Sequence, residues 1–247
     1  MYPKTFFENF WNSEIKNQVF VIMSFSEEFD TLWNEAIKPA IEENSVERLV
    51  AKRVDNTKIS TNILSEILDG VAHSKLIFAD ISICQTGKWA GQRNGNVMYE
   101  IGLSHAIRRP EELVLFKNDY DDINFDISNI NINQYEYGNI ESSKKRFKEI
   151  VEYSLKNLSF TKNLLVNKVI REIDIKSYEL LDEIRKLNGR FKPIESKTMA
   201  DHLINIKRDI SFDKLQNLGV FYFDNENKDY VITDFGKVVI KNIFESK

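Results

Sequence analysis

"QVFVIMSF" occupies residues 18–25, and from Val19 to Met23 it is apolar without alternation. A strand with one wet face alternates polar and apolar residues. An unbroken run is buried on both faces, as the strands of parallel sheets are. The period then changes. Phe29, Leu32, Trp33, Ala36, Ile37, Ala40 and Ile41 fall three or four residues apart, the stripe of a helix lying on a core. Ser24 and Glu27, ahead of that stripe, predict a capping box. The two periods repeat along the chain. "RLVAKRV" (48–54) predicts a second strand, and Ile59, Ile63, Ile67, Leu68 and Val71 a second helix ending at Gly70 or soon after. "KLIFADI" (75–81) predicts a third strand, "GNVMYEIGLSHAI" (95–107) a third helix and "ELVLFK" (112–117) a fourth strand. "NFDISNININ" and "QYEYG" (124–138) supply a last strand, and a helix over 144–158 closes the domain. This alternation builds an α/β fold, a doubly wound parallel sheet with helices on both faces.

The tail has a different grammar. "IREIDIKSYELLDEIRKL" (170–187) predicts a helix, "NGRFKPIESK" a break, and "TMADHLI" (198–204) and "SFDKLQNLGVF" (211–221) two short helical segments. "VFYFDNENKDYVIT" (220–233) reads as two strands around a polar turn, and "DFGKVVIKNIF" (234–244) as a closing helix. Three helices and a two-stranded wing make the winged helix-turn-helix pattern. The boundary falls near residues 158–164, giving domains 1–160 and 161–247.

Composition narrows the function classes. With 247 residues and 42% hydrophobic content the chain can fill one large core or two smaller ones. No apolar run approaches the roughly 18 residues that cross a bilayer. The first 18 residues carry acids and no apolar signal core, so neither a membrane span nor a signal peptide is expected. Cys84 is the only cysteine, which excludes an internal disulfide and fits a reducing, cytoplasmic setting. It has no histidine partner and belongs to no Cys/His cluster, so no metal and no cofactor is expected. Residues 1–159 hold 18 basic and 24 acidic side chains, and residues 160–247 hold 16 and 14; neither balance marks a strong polyanion binder.

In an open parallel sheet, ligands bind outside the carboxyl ends of the strands. Here those ends carry Met23-Ser24-Phe25, Arg53 with Asp55, Asp80, and Lys117 to Asp119. Glu100 opens the third helix. With Asn96 as N-cap it lies about one turn in, where the helix dipole would hold it ionised. Two readings stand for it: a surface acid answering the dipole, or an active-site acid. Asp80 likewise reads as a strand-end cap or as a second acid. Asp80 is the only acid between Ser74 and Tyr99, and together the two favour a cleft, because paired carboxylates can divide the work of glycosyl transfer. Helical spacing puts Glu100 with Asn96 and Tyr99 and sends His105 to another side, as a packing residue. Gly102 is expected to let the helix approach the sheet closely.

The loop from Ile83 to Gly95 carries only Lys88 and Arg93 as charges. It reads either as a lid whose Trp89 covers a base, or as a surface loop with an exposed tryptophan. Glu27, Glu28 and Asp30 already answer the first helix N-terminus, so a bound phosphate would meet Arg53, Lys88 or Arg93 instead. Arg53 and Asp55 equally read as a structural pair. There is no P-loop and no dinucleotide fingerprint.

"VFVIMSFSEEFD", "IFADIS" and "NGNVMYEIGLSHAI", with "NFDI" (124–127), resemble the nucleoside 2-deoxyribosyltransferase-like family and its TIR-like nucleotide-binding relatives, over roughly residues 18–137. The resemblance implies a flavodoxin-like sheet and N-glycosidic bond cleavage on a nucleoside, nucleotide or NAD. It implies that Glu100, in Glu100-Ile101-Gly102, attacks the anomeric carbon or stabilises an oxocarbenium-like transition state while Asp80 assists the departing base. Phe25 falls on an aromatic slot that stacks a base. Ser24, Arg53, Asp55, Trp89 and Asn96 complete the expected ligand contacts. Phe25 departs from the pattern, having no hydroxyl where the transferases commonly use tyrosine, which favours a nucleotide sensor as the alternative. Transferase relatives build sites across subunits, implying a homo-oligomer. A deoxyribosyltransferase-like domain fused to a winged helix also resembles toxic effectors of bacterial anti-phage systems, held inactive by a partner. In that architecture the winged helix docks a regulatory protein; DNA is the weaker alternative, since Lys214 and Gln216 share their segment with Asp213.

Overall fold

A computed structural model describes residues 15–54, 63–121, 131–187, 189–191, 210–224 and 227–245. The chain divides into two compact units, Met1–Ser159 and Phe160–Lys247.

The first unit is an α/β layer structure. Strands β1 (Lys16–Ile22), β2 (Val50–Lys52), β3 (Ser74–Asp80), β4 (Leu113–Lys117) and β5 (Ile132–Gln134) form one sheet in the order β2-β1-β3-β4-β5. Every neighbouring pair is parallel. Alternation along β1 assigns the two faces. Val19 and Val21 pack with Leu32, Ala36 and Ile37, and with Phe147 and Val151 from the later helix α4 (Ile140–Glu172). Phe20 and Ile22 pack on the other face with Val71 of α2 (Ile63–His73) and with Val97 and Ile101 of α3 (Gly95–Ile107). Helices thus cover both faces, consistent with a flavodoxin-like arrangement. Because β2 lies on one side of β1 and β3 on the other, the strand order reverses there. A crevice opens at such a point, outside the carboxyl ends.

The first helix departs from expectation. A short 3₁₀ turn, Glu27–Phe29, precedes a π-helical stretch, Leu32–Ile37, and only Lys38–Glu42 is regular α1. The Lys38 N–H reaches back five residues to the Trp33 carbonyl. Pro39 gives the physical reason: it has no N–H for the Glu35 carbonyl and its ring crowds that oxygen, so the preceding turn widens. The predicted capping box does not form either. Ser26 holds the N-cap position without a side-chain capping bond, its hydroxyl donating to the Glu28 carboxylate at 3.0 Å, and Ser24 is engaged elsewhere. Gly70 of α2 lies against β1 so closely that a Cβ there would come within 2.3 Å of the Phe20 ring.

In the second unit α4 ends at Glu172, and the Asp174 carboxylate caps α5 (Ile175–Ile184) by accepting from the Ser177 N–H at 2.8 Å. That cap divides what reads in the sequence as one helix over 170–187. β6 (Arg190–Phe191), helix α6 (210–217), β7 (Phe221–Asp224), β8 (Asp229–Ile232) and α7 (Asp234–Phe244) follow. The three strands pair antiparallel in the order β6-β8-β7 over a core of Phe191, Phe212, Phe221 and Tyr230. The segment predicted as a helix over 198–204 lies outside the described residues. Among the described residues no helix is long and apolar enough to cross a membrane.

Candidate active site

A cavity of about 350 Å³ opens where β1 and β2 end, between the starts of α2 and α3. Phe20, Met23, Val54, Ile63, Leu64, Ile67 and Val97 give it an apolar floor. Phe25, Asn94, Asn96, Tyr99 and Glu100 supply its aromatic and polar groups. Glu100 is its only carboxyl among the described residues.

Asn94 sets Glu100 in place. Its Oδ1 accepts the Asn96 N–H at 2.9 Å and so caps α3, while its Nδ2 donates to Ser24 Oγ at 3.1 Å. One side chain therefore closes the helix start and ties it to the end of β1. The N-cap is Asn94, not Asn96, so Glu100 stands six residues beyond it, past the first turn where the dipole acts. The expectation of a dipole-held carboxylate fails accordingly. Burial pushes the Glu100 carboxyl up to about 7, and no hydrogen bond or ion pair opposes that among the described residues.

Asp80 does not share the cavity. Strand alternation puts it on the same face as Phe78, opposite α3, where it is 4% exposed. Its Oδ1 accepts from the Ser82 N–H at 3.0 Å and the Ser82 hydroxyl at 2.5 Å, and its Oδ2 accepts from the Tyr135 hydroxyl at 2.9 Å. The Ser82 oxygen in turn accepts the Asn118 N–H at 3.0 Å. Burial raises the Asp80 carboxyl to about 6, and these bonds pull it back only in part. The expected cleft with two carboxylates is thus replaced by one acid in a cavity and one in a closed network. Tyr135, which completes that network, was not among the expected site residues; its signal was the aromatic pair in "QYEYG" just after the last strand.

The remaining expected contacts divide. Phe25 and Asn96 line the cavity and are exposed. Ser24 is buried, accepting from Asn94 and from the Cys84 thiol at 3.6 Å, and it serves as a structural tie. Burial pushes that thiol upward, away from reactivity. Arg53 is not on the wall; its guanidinium lies over the Phe25 and Trp33 rings. Asp55 lies outside the described residues. Trp89 packs against the core on the α1 and α4 face and against Gly95, where a Cβ would meet its ring at 2.7 Å, so it is no exposed cover. Its loop is pinned by a bridge between Ile83 and Arg93 and by a two-bond pair from Arg93 to Asp119 at 2.7 and 3.0 Å. Arg93 also donates to the Ile81 carbonyl. Burial alone would raise the Asp119 carboxyl, but the Arg93 guanidinium holds it below the usual range. His105 is partly buried with Nε2 unpartnered among the described residues, and desolvation lowers its pKa.

No family model matches this chain, and neither does any curated protein.

Tyr99 is the wall residue with the clearest unused signal. It is 55% exposed, lines the cavity together with Glu100, and adds an exposed aromatic ring to that of Phe25. Two rings, two amides and one acid suit a ligand with a flat heterocycle and a hydroxylated part. An acid poised near neutrality can act protonated or ionised, as proton donor or as nucleophile. Among the described residues no three His, Cys, Asp or Glu side chains converge to hold a metal.

Proposed function

We propose that the first unit cleaves N-glycosidic bonds of a nucleoside, nucleotide or NAD, with Glu100 as the acting carboxylate. The observation that carries this is an acid raised to about 7, with no partner among the described residues, on the wall of a cavity at the sheet's switch point beside an exposed phenylalanine. The resemblance over residues 18–137 puts the family's acid on the same residue. Ionised Glu100 attacks the anomeric carbon or stabilises its positive charge as the C–N bond breaks and the bonding pair leaves with the base. Water or a second base then accepts the sugar. Asp80 has no place in that step; it holds the end of β3 to β5 through Tyr135. For the sheet we adopt the flavodoxin-like assignment. For the second unit we adopt the winged-helix assignment, supported by its β6-β8-β7 order and the helices before, within and after it. Lys214, the only cation in α6, is paired with Asp174 at 2.9 Å, which favours protein docking over DNA. That fits an effector restrained by a partner.

Chromatography of nucleosides, nucleotides and NAD incubated with wild type and with Glu100→Gln, with and without candidate partners, tests the reading. Free base from wild type, reduced at least about 100-fold in Glu100→Gln, is the expected result. A second reading, a non-catalytic nucleotide sensor, is favoured by the single carboxyl that the described residues give the cavity wall and by Phe25 without a hydroxyl. Ligand bound equally by both proteins, with no base released in any condition, would replace the first reading by the second.

A further inference from the structure

Arg53 follows β2 at the edge of the site, where a cation invites assignment to a ligand phosphate. Its surroundings point elsewhere. The guanidinium carbon lies 4.9 Å from the centroid of the Phe25 ring and 4.9 Å from that of Trp33, so one planar cation serves two aromatic faces. Nη1 lies 3.9 Å from the Asp30 carboxylate and 3.9 Å from the Met23 sulfur. The side chain is only 11% exposed. Phe25, by contrast, is 42% exposed on the cavity wall, at the first turn out of the sheet. A phenylalanine so exposed would sample several rotamers unless something held one face. Arg53 holds it, and Met23, which Arg53 also touches, is a neighbouring wall residue.

We infer that Arg53 is a positioning residue: stacked on Phe25 and Trp33, it fixes the Phe25 ring as the wall on which a planar base rests, and it makes no contact with the ligand. This rests on the proposed reading only in supposing that the ligand carries a base; it does not require that any bond be cleaved. Tyr99, the other exposed ring on the wall, contacts the ligand independently of Arg53.

The test is a double-mutant cycle by titration calorimetry on the full chain, in a Glu100→Gln background so that no ligand is consumed. The probes are adenosine and cytidine and their 5′-monophosphates, with base release by wild type measured in parallel. Arg53→Gln is expected to weaken a nucleoside and its monophosphate equally, by about 3- to 10-fold, and Arg53→Lys to recover part of the loss by keeping a cation over the ring. Phe25→Ala should lose at least as much, and adding Arg53→Gln to it should cost nothing further. Melting temperatures identify any variant that fails to fold; Arg53→Lys then carries the cycle. A loss confined to the monophosphates, or one that adds in full to Phe25→Ala, would make Arg53 a direct phosphate contact and overturn the inference. Failure of wild type and Glu100→Gln to bind any probe would overturn it as well. Binding that obeys the cycle without base release would end the glycosidase reading and leave the role of Arg53 standing.

Discussion

The two faces of the parallel sheet hold two acids in opposite circumstances, Asp80 buried and Glu100 half-buried. On the α1 and α4 face, Asp80 accepts three hydrogen bonds and closes a network with Ser82, Tyr135 and the Asn118 amide. On the α2 and α3 face, Glu100 looks into a cavity and accepts none among the described residues. Burial raises both carboxyls, to about 6 and about 7. Burial alone therefore does not distinguish a structural acid from a chemical one; the donors do. The largest expected effect follows from this. Asp80→Ala leaves the Ser82 N–H buried without its acceptor and the Tyr135 hydroxyl with only the Ser82 oxygen at 3.1 Å, and should cost about 3–5 kcal/mol in urea denaturation. Glu100→Gln strands no partner among the described residues and should leave stability at neutral pH unchanged or higher. Equal losses in the two variants would erase the contrast.

The pH dependence sharpens it. A carboxyl whose folded pKa stands above its unfolded value binds its proton more tightly in the folded chain. Its contribution to stability is complete below the unfolded pKa and is lost as pH rises through the folded one. For Glu100 that window runs from its ordinary 4.5 to about 7. Glutamine does not titrate, so the stability of Glu100→Gln relative to wild type should grow across this window, by roughly 3 kcal/mol in all. Denaturation of both proteins at steps between pH 4 and 8 measures the difference. A flat difference would mean that Glu100 is as well solvated folded as unfolded, and the cavity would lose its poised acid.

The loop that joins the two faces should give a smaller effect. Arg93→Met leaves Asp119 half of its ties, and the Ile83 and Asp121 N–H groups cannot replace a charged two-bond partner. A loss of about 1–2 kcal/mol is expected, with proteolytic nicking between Ile83 and Arg93 as a second readout. No loss and no nicking would show that the Ile83–Arg93 bridge and the Glu28 carboxylate, which accepts the Gln85 and Thr86 N–H groups, hold the loop without that pair.

Much of this contrast was open to sequence reasoning, and some was not. Residues 76, 78 and 80 must share a face of β3, so the side of Asp80 was implicit in the alternation; which helices cover that face was not, because it depends on how the crossovers wind. The ranges of β3 and α3 were legible because an unbroken apolar run and a Gly-bounded helical stripe are local signals. The N-cap was not. Asn94 and Asn96 flank Gly95 and are equivalent by type; the choice is made by Ser24, which is 70 positions distant. Ser24 itself looked like a helix cap for the same reason, and the π-helical turn before Pro39 had no signal beyond the proline.

Gly102 is where local reasoning failed most simply, and it yields the smallest prediction. A glycine within Glu100-Ile101-Gly102 reads as a point of close helix–sheet approach. A Cβ built on Gly102, however, meets nothing within 4 Å, and the residue is exposed. The close approach in α3 is at Gly95 instead, against Trp89. Gly102→Ala should therefore gain the helix propensity that glycine forfeits, about 0.5–1 kcal/mol, without disturbing the cavity. Gly95→Ala must displace the Trp89 ring and should destabilise. Thermal melts of the two variants read the signs directly. If Gly102→Ala also destabilises, something outside the described residues or a second chain covers that position, and α3 has a neighbour on its exposed side.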